Sequence, residues 1–401
     1  MSPSLSPRPA REPASQPSPS LLFTMALSCG LAVANIYYNQ PMLAVMVQDF
    51  PGQAALPMIA MLTQLGYAAG LLLLVPLGDV LVRRWLIVGQ FGLIALASLL
   101  AAQASGAGGL MLASLLLGVG ATAAQQIVPV AATLADPARR GAVVGSVMSG
   151  LLTGILLSRT LAGLITAYLG WRAMFWLGVP LALVGALLMA WRIPLDLPRT
   201  SLSYPRLLAS LVELWREEPS LRRATLIQAL LFASFSAFWT VLAFQLADPQ
   251  YRLGAEVAGL FGVIGVAGVL AAPLAGRVAD RLGATPVVRL GALLVVLAWI
   301  CFEAWHSLLG LALGVILLDL GVQSALIAHQ QQIYGLREAA RGRINTLFMT
   351  GMFLGGTLGS TLAMLAWQQG GWLGVGGVGL VLASVALLCG AIGLGVRRLA
   401  S

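Results

Sequence analysis

The chain has 401 residues, of which 59% are hydrophobic and 9% are charged, and its formal net charge is +9. A soluble globular domain carries about 25% charged residues, so this composition excludes an ordinary soluble protein and indicates a chain built mostly of membrane-spanning segments. The basic residues are all arginine and cluster in alternate segments between hydrophobic stretches. This distribution indicates membrane topology and argues against a nucleic-acid partner.

Twelve hydrophobic stretches follow an N-terminal segment that is rich in proline and serine. The composition of residues 1–21 predicts a disordered tail, because this segment has too few apolar residues to form a packed structure. A transmembrane helix needs about 20 apolar residues. The predicted spans, numbered in chain order, are 22–46, 56–79, 85–104, 108–134, 142–166, 171–191, 224–247, 255–279, 285–304, 307–333, 344–367 and 372–396. The sequence therefore predicts an all-α membrane protein with twelve transmembrane helices.

The second half of the chain repeats the first at a fixed spacing of 201 residues, and no gap is needed between Asp79 and Gly170. Asp79, at the end of span 2, returns as Asp280 at the end of span 8, and Gly170 returns as Gly371. In a membrane protein, such a duplication is typical of a transporter whose substrate path lies between the two repeats. We therefore expect two six-helix bundles related by an internal repeat. The expected units are a first bundle, a linker, a second bundle and a tail, at 22–191, 192–223, 224–396 and 397–401.

Arginine residues mark one side of the predicted membrane. The linker and the loops after spans 2, 4, 8 and 10 are rich in arginine, whereas the opposite side offers only Arg172 and Arg252. By the positive-inside rule, the arginine-rich side is cytoplasmic, so we expect both termini in the cytoplasm and the protein in a bacterial inner membrane. Within the linker, residues 205–215 predict a short amphipathic helix, which either lies along the inner membrane face or is a plain connector.

Two charged residues lie deep inside predicted spans: Asp319 in span 10 and Arg159 in span 5. A charge near the bilayer centre costs about 2.5–3.5 kcal/mol on insertion scales, so such residues are functional candidates. Removal from water favours the protonated form of a carboxyl group, so Asp319 is a candidate proton carrier. Arg159 is the candidate fixed charge that pairs with Asp319 or with an anionic substrate group. The alternatives are a structural, hydrogen-bonded Asp319 and an Arg159 that extends toward the membrane surface.

Polar and aromatic residues in four spans are candidates for the wall of a substrate cavity. Polar side chains are costly facing lipid, so they are expected to face a cavity or another helix. Tyr38 in span 1 and its repeat partner Trp239 in span 7 suit stacking on a flat substrate, although aromatic residues also serve in helix packing. For Gln125 and Gln126 in span 4, hydrogen bonding between helices is the alternative. The expected cavity residues are Asn35, Tyr38, Asn39, Gln125, Gln126, Trp239 and Gln323.

The sequence shows no motif for a cofactor, a metal or catalysis. Cys29, Cys301 and Cys389 fall within apolar stretches, at spacings that match no metal or disulfide site. There is no Walker A pattern and no nucleophile–base arrangement. We therefore expect no cofactor, no bound metal, no enzymatic activity and no direct use of ATP.

The loops after spans 2 and 8 carry similar charged residues. Asp79 ends a helix whose C-terminus is already negative, so it needs a cation or the N-terminus of another helix as its partner. A pairing that changes with the conformation of the protein would form a cytoplasmic gate. The expected gate residues are Asp79, Arg83, Arg84, Asp280 and Arg281.

At these residues the chain resembles the major facilitator superfamily. Segment 75–84 is similar to the loop signature G-x-L-a-D-r-x-G-R-R, with valine in place of both glycines, and the second copy at 276–283 fits better. Span 5 is similar to the antiporter motif G-x-x-x-G-P-x-x-G-G of the proton-coupled efflux members, of which Gly154 and Gly163 match. Arg159 stands where that motif has proline, a departure shared by a bacterial subgroup that includes nucleoside and sugar exporters.

The resemblance implies a secondary active transporter that works by alternating access. The expected activity is proton-coupled export of a small organic molecule, such as a drug, a nucleoside or a sugar-like compound. The expected partners are this substrate, protons and the lipid bilayer, and the protein is expected to be monomeric. Many proton-coupled drug exporters carry an arginine where this chain has Ser114, so coupling must depend on Asp319, together with Arg159. The alternatives are a proton-coupled importer and a non-transporting membrane sensor of the same fold.

Overall fold

The computed structural model describes residues 17–53, 55–136, 139–195, 203–265, 275–281 and 283–398. Within these residues the chain is helical, with turns between the helices and no β-strand. Ten helical runs of the described part are long and apolar enough to cross a membrane. The predicted class, an all-α membrane protein, is confirmed.

The helices are labelled in chain order. Those of the first half are α1 (Pro19–Ala34), α2 (Asn39–Asp49), α3 (Ile59–Val80), α4 (Arg83–Ala102), α5 (Ala107–Ala121), α6 (Ala123–Leu134), α7 (Arg140–Leu169) and α8 (Trp171–Arg192). The connecting helix is α9 (Tyr204–Glu217). Those of the second half are α10 (Pro219–Ala247), α11 (Ala255–Ile264), α12 (275–281), α13 (Ala284–Ala304), α14 (Leu308–Tyr334) and α15 (Arg341–Arg398).

Every predicted span except the eighth coincides with described helices. The eighth is represented by α11 and α12, on either side of residues 266–274, which lie outside the described residues. Spans 11 and 12 form the single run α15, which is interrupted at Gly371, where φ is +56°. Its repeat partner Gly170 joins α7 to α8 at a φ of +82°. Glycine adopts a positive φ at no steric cost, which explains why both copies of the repeat have glycine at this junction.

Two spans of the first half are broken, which corrects the prediction of continuous helices at 22–46 and 108–134. A turn at residues 35–38 separates α1 from α2, and α5 meets α6 at Thr122. The first break has a local cause, because Pro41 has no N–H to donate to the carbonyl of Tyr37 and its ring crowds that carbonyl. The equivalent spans of the second half, α10 and α14, are continuous.

One side of the molecule carries the arginine residues at the helix ends and is called the arginine-rich side below. The α3–α4 junction lies there, with Arg83 and Arg84, and so do the starts of α7 and α15, with Arg140 and Arg341. The junction between α2 and α3 and the turn at Gly170 lie on the opposite side. The chain order of the helices fixes this arrangement, because successive spans run in opposite directions.

Small residues let helices approach closely in both copies of the repeat. Gly154 of α7 lies against α1, where an added Cβ would be 2.4 Å from the carbonyl oxygen of Gly30. Its repeat partner Gly355 lies against α10 in the same way, where a Cβ would be 2.2 Å from the carbonyl oxygen of Ala229. Real Cβ atoms do not approach backbone atoms so closely, so both positions require glycine.

Gly154→Ala is expected to lower the thermal stability of the purified protein, because overpacking a helix contact costs about 1–3 kcal/mol. Gly145→Ala is the matched control, since Gly145 lies on the same helix and a Cβ there would meet nothing within 4 Å. The melting temperature in one detergent measures both. Equal melting temperatures for the two variants would contradict the close contact of α1 and α7.

The two halves contact each other through a pair of equivalent helix contacts. α7 packs against α11, where an added Cβ on Gly163 would be 2.9 Å from the Cα of Gly259. α3 packs against α15. Span 5 repeats as span 11 and span 2 repeats as span 8, so the second contact is the repeat copy of the first.

Helix α9 connects the halves on the arginine-rich side. The Tyr204 hydroxyl donates to the carbonyl oxygen of Leu73 at 2.8 Å, so the start of α9 is bonded to the first half. At its end, Glu217 and Glu218 contact Arg337 of the second half at 2.8 and 2.6 Å. Arg337 donates these charge-assisted hydrogen bonds to the two carboxylates, which raises the pKa of Arg337. The linker helix expected at 205–215 therefore contacts both halves.

Candidate functional site

Arg159 lies on α7 at the contact between the two halves and is 3% exposed. Its Nε donates to Gln40 Oε1 at 2.9 Å. Its Cζ lies over the rings of Tyr37, at 4.5 Å, and Trp239, at 4.0 Å. Each such cation–π contact is worth about 0.5–2 kcal/mol. Because Tyr37 belongs to the first half and Trp239 to the second, the guanidinium lies where the halves meet.

Asp319 is the second buried charge of the site. It lies on α14 and is 5% exposed, and its Oδ2 has no hydrogen-bond partner among the described residues. Gly265, which caps α11, lies against the carboxylate, since a Cβ there would be 3.2 Å from Oδ1. Residues 266–274 carry no polar side chain, so that segment offers Asp319 no side-chain donor.

Arg159 and Asp319 contact the same end of α11. Gly262 lies against the stem of Arg159, where an added Cβ would be 3.0 Å from the arginine Cβ, and Gly265 lies against Asp319. Two residues three apart share one face of a helix. The two charges affect each other electrostatically, but Nη2 and Oδ2 both lack a partner in the described part of the chain. The structure therefore brings the predicted pair together without a direct ion pair.

Trp239, expected in the cavity wall as the repeat partner of Tyr38, lies against Arg159. Tyr38 lines a groove of about 620 Å³ that is formed by α1, α7 and α8. The preceding residue, Tyr37, contacts Arg159 instead. At 35–38 the backbone bonds connect residues three apart rather than four, so the α-helical face assumed for these residues is not kept. Tyr37 thus replaces Tyr38 as the aromatic residue opposite Trp239.

The two asparagines of span 1 bond to protein groups near the break. Asn35 Nδ2 donates to the carbonyl oxygens of Leu31 and Ala32 at 2.8 and 3.3 Å, and Asn39 Nδ2 donates to Thr63 Oγ1 at 2.8 Å. The Oδ1 atoms of both are buried and lack partners among the described residues. The amide nitrogens therefore stabilise the break, and the two oxygens remain as acceptors.

The glutamines of span 4 lie in different places. Gln125 Nε2 donates to the Tyr67 hydroxyl at 3.1 Å, and the Tyr67 ring lies 4.3 Å from that of Phe353 in the second half. Gln126 Nε2 donates to the carbonyl oxygen of Leu74 at 2.6 Å, inside the first half. Gln125 therefore bonds to a residue at the contact between the halves, whereas Gln126 bonds to a backbone carbonyl of the first half. Gln323 lies one turn beyond Asp319 and is partly exposed.

A buried hydrogen-bond network joins the halves on the side opposite the arginine-rich side. Gln64 of α3 donates from Nε2 to Ser360 Oγ on α15 at 2.9 Å and accepts at Oε1 from Ser236 Oγ on α10 at 3.2 Å. Thr240 Oγ1 donates to Ser360 Oγ at 2.8 Å. Each of the four residues is at most 3% exposed. In this structure the halves are therefore bonded to each other on that side.

Gln64→Ala is expected to increase amide hydrogen exchange on this side, at the start of α3, at the end of α10 and in the part of α15 near Gly371. Two hydrogen bonds worth about 1 kcal/mol each are lost, which corresponds to roughly ten- to thirty-fold more frequent opening. The matched control is Gln90→Ala, because Gln90 is also buried but bonds within the first half, to Thr122 Oγ1 at 2.8 Å. Hydrogen-exchange mass spectrometry measures both variants. Unchanged protection in Gln64→Ala would show that the network does not hold the halves together.

The predicted gate residues make contacts within their own halves. Arg83 at the start of α4 contacts Asp79 at the end of α3, and its Nε donates to the carbonyl oxygen of Gly78 at 2.9 Å. The Cζ of Arg84 lies 5.3 Å from the ring centre of Trp85. Asp280 Oδ1 accepts from Gln331 Nε2 of α14 at 3.2 Å, and the adjacent Arg281 is exposed. The two acidic residues therefore have different partners although their positions are equivalent.

Comparison with known proteins places the chain in a family. The model of the Major Facilitator Superfamily matches residues 25–268, which is more than half of the chain. The chain belongs to the major facilitator superfamily. The uncharacterized transporter YgaY of Escherichia coli O157:H7 is 43% identical over 92% of this chain and 95% of its own length. A Streptomyces coelicolor protein named as a transporter, SCO4007, is 35% identical over 93% of this chain and 90% of its own length.

A solved structure shows the same fold. The crystal structure of the nucleoside transporter NupG matches with a TM-score of 0.75 and 14% identity, covering 94% of this chain and 99% of NupG. At this identity the likeness concerns the fold alone. Membership in the major facilitator superfamily makes this chain a multi-pass membrane transporter of small molecules.

Proposed function

We propose that this protein is a proton-coupled transporter that works by alternating access, with Asp319 as the proton-binding group and Arg159 as its fixed countercharge. The observation that carries the proposal is the pair of buried, opposite charges that contact one end of α11 without a direct ion pair. A buried charge without a partner is costly. Each charge is therefore expected to be neutralised during the transport cycle.

The arrangement couples proton binding at Asp319 to substrate binding at Arg159. When Asp319 binds a proton, its negative charge no longer attracts Arg159, and the guanidinium is free to bind a substrate group. When the proton leaves, the carboxylate competes with the substrate for Arg159. Proton and substrate therefore bind together, and an inward proton gradient would drive uptake of the substrate.

This linkage makes proton-coupled import the first candidate and places export second. The observation that favours export is the glycine pattern of α7, in which Gly154 and Gly163 both make close helix contacts and resemble the antiporter motif. Arg159 interrupts that motif at its proline position. In either direction, two bundles at 22–191 and 224–396 would move relative to each other about the site, which would open alternately to the two sides.

For the orientation, we propose that the arginine-rich side faces the cytoplasm of a bacterial inner membrane, with both termini on that side. The arginine residues at the starts of α4, α7 and α15 support this proposal through the positive-inside rule. A single chain contains both halves of the proposed path, so a monomer would be sufficient for transport. The hydrogen bonds of Gln64 then lie on the periplasmic side.

The first test is to find a transported compound and then to measure its proton coupling. A growth panel of drugs, nucleosides, sugars and organic acids, with and without the protein, identifies the compound. The purified protein is then placed in liposomes that contain a pH-sensitive dye, and the compound is added outside without an imposed gradient. Symport acidifies the lumen and antiport makes it alkaline. A transported compound that leaves the internal pH unchanged would rule out proton coupling.

Asp79→Ala and Asp280→Ala are each expected to slow transport several-fold while leaving the equilibrium affinity for the substrate roughly unchanged. Both residues lie on the arginine-rich side, where Asp79 contacts Arg83 and Asp280 contacts Gln331. Neither lies among the contacts of Arg159 or Asp319. Initial transport rates and equilibrium binding measure the two effects separately. A large loss of binding in either variant would place the residue in the substrate site.

A further inference from the structure

Three buried polar atoms at the site have no hydrogen-bond partner among the described residues: Arg159 Nη2, Trp239 Nε1 and Asp319 Oδ2. Their side chains belong to residues that are 3%, 2% and 5% exposed. A buried polar atom without a partner costs about 1–3 kcal/mol, and more if it is charged. At the contact between the halves of a transporter, such a group of atoms indicates that a bound molecule supplies the missing partners.

The two unpartnered atoms at the guanidinium, Arg159 Nη2 and Trp239 Nε1, are hydrogen-bond donors. Gln40 already accepts from Arg159 Nε at 2.9 Å, which leaves the Nη end of the guanidinium for a ligand. The indole that carries Trp239 Nε1 lies under the same guanidinium, 4.0 Å from Cζ to the ring centre. A positive charge with two N–H donors matches an anionic group with two oxygen atoms, and the planar fork of arginine fits carboxylate well.

The charge of Asp319 restricts when such an anion can bind. An ionised Asp319 would repel a second carboxylate near the same end of α11, whereas a protonated Asp319 would not. The free oxygen of the protonated group can also take part in a hydrogen bond with the ligand. A monoanion therefore fits the site together with one proton, as the proposed coupling requires.

Aromatic rings continue from the guanidinium along the contact between the halves. Phe235 lies 5.9 Å from Arg159 Cζ, and Phe232 stacks on Phe235 with ring centres 5.4 Å apart. Phe353 lies 5.1 Å from Phe232 and 4.3 Å from Tyr67 of the first half. Aromatic rings pack favourably on one another in stacked and edge-to-face arrangements. This row of rings suits the ring of a ligand whose charged group is bound at Arg159.

We propose that the substrate is a small aromatic monocarboxylate, bound through its carboxylate to Arg159 Nη2 and Trp239 Nε1 and through its ring to the neighbouring aromatic side chains. The proposal rests on the proposed function, because it assigns a substrate class to the same site. It predicts a requirement for negative charge and for a flat ring in the ligand. It also predicts that the ligand loses affinity when either donor is removed.

The test measures equilibrium binding to the purified full-length protein by thermal shift, at one fixed pH, with four matched probes. Benzoate carries both features, cyclohexanecarboxylate lacks the flat ring, benzamide lacks the charge and benzylammonium has the opposite charge. Benzoate is expected to raise the melting temperature in a concentration-dependent way, and cyclohexanecarboxylate is expected to bind several-fold more weakly. Benzamide and benzylammonium are expected to give no shift.

Substitutions then test whether the benzoate-induced thermal shift arises from binding at Arg159 and Trp239. Arg159→Gln is expected to weaken benzoate binding at least about ten-fold, and Trp239→Phe about three-fold through the lost N–H donor. Arg159→Lys keeps the charge and should retain part of the binding, which separates loss of charge from loss of fold. The matched control is Arg172→Gln, because Arg172 Cζ also lies over a tryptophan ring, that of Trp171 at 4.2 Å, but outside the site. This control is expected to bind benzoate like the wild type.

The possible outcomes distinguish failure of the proposed substrate class from failure of the proposed proton coupling. Absence of a benzoate shift in the wild type, an equal shift with benzamide or benzylammonium, or unchanged benzoate binding in Arg159→Gln would each overturn the proposed substrate class. Those results would leave proton coupling standing for any other compound that changes the internal pH of liposomes. Conversely, benzoate binding that depends on Arg159, combined with full pH-driven transport by Asp319→Asn, would keep the substrate class and overturn the role of Asp319 in coupling.

Discussion

Asp319→Asn is expected to give a folded protein that binds and exchanges substrate but no longer accumulates it in response to a pH gradient. Asparagine keeps the size of the side chain and removes the titratable group, so it resembles the protonated state. Asp319 is 5% exposed and its Oδ2 has no partner among the described residues, so the substitution removes no hydrogen bond from that atom. Folding should therefore be unaffected while coupling is lost.

Two assays in liposomes separate these effects. Counterflow, in which labelled substrate exchanges against unlabelled substrate at equal pH, is expected to persist in Asp319→Asn. Accumulation driven by a pH gradient is expected to fall to the level of protein-free liposomes. Asp248→Asn is the matched control, since it makes the same change in the loop after α10, where Asp248 Oδ1 accepts from the backbone N–H of Gln250 at 3.2 Å. Full accumulation by Asp319→Asn would show that the proton is carried elsewhere.

The sequence alone predicted the class of the protein and its two buried charges. Long apolar stretches have few structural solutions in a membrane, so the helices could be placed without any tertiary information. Asp319 and Arg159 stood out because charged residues are rare at that depth. Trp239 was found through the repeat, since the position of one half predicts the position of the other. These features depend on local composition or on internal symmetry.

The side chains that complete the site could not be predicted in the same way. The choice of Tyr38 assumed a continuous helix, and the break at 35–38 brought Tyr37 to Arg159 instead. Pro41 was the available signal for that break, because proline leaves the carbonyl four residues earlier without its helical partner. Gln40, adjacent to Pro41, accepts a hydrogen bond from Arg159, and no pattern in the sequence distinguishes it from the other polar residues of span 1.

The network of Gln64 depends on tertiary contacts that the sequence does not reveal. A single glutamine and several hydroxyl residues within apolar spans are common, since serine and threonine often donate to the carbonyls of their own helix. What distinguishes Gln64 is that its partners come from α10 and α15 of the other half. Equally, Gln125 and Gln126 were expected in one cavity wall, whereas adjacent helical residues point about 100° apart and here they bond to Tyr67 and Leu74, about two turns apart on α3.

Arg159→Ala is expected to reduce transport far more than it reduces the amount of protein in the membrane. The substitution removes the hydrogen bond to Gln40 and the contacts with Tyr37 and Trp239, but its larger effect is to remove the countercharge of Asp319 and of the substrate. We expect transport to fall at least about ten-fold, which corresponds to an increase of roughly 1.4 kcal/mol in the free-energy barrier to transport. Transport rates are compared at equal protein levels, with Arg172→Ala as the control.

A double-mutant cycle tests whether Arg159 and Asp319 act on each other, with the equilibrium affinity for a transported compound as the measured quantity. In the wild-type background, Asp319→Asn should tighten binding, because the carboxylate that competes for Arg159 is removed. In the Arg159→Ala background the same change should have little effect, because there is no guanidinium left to compete for. The expected non-additivity is about 0.5–3 kcal/mol, the range found for residues in contact or in one network. Strictly additive effects would mean that the two charges act independently, and Arg159 would then be a structural residue held by Gln40 and the aromatic rings.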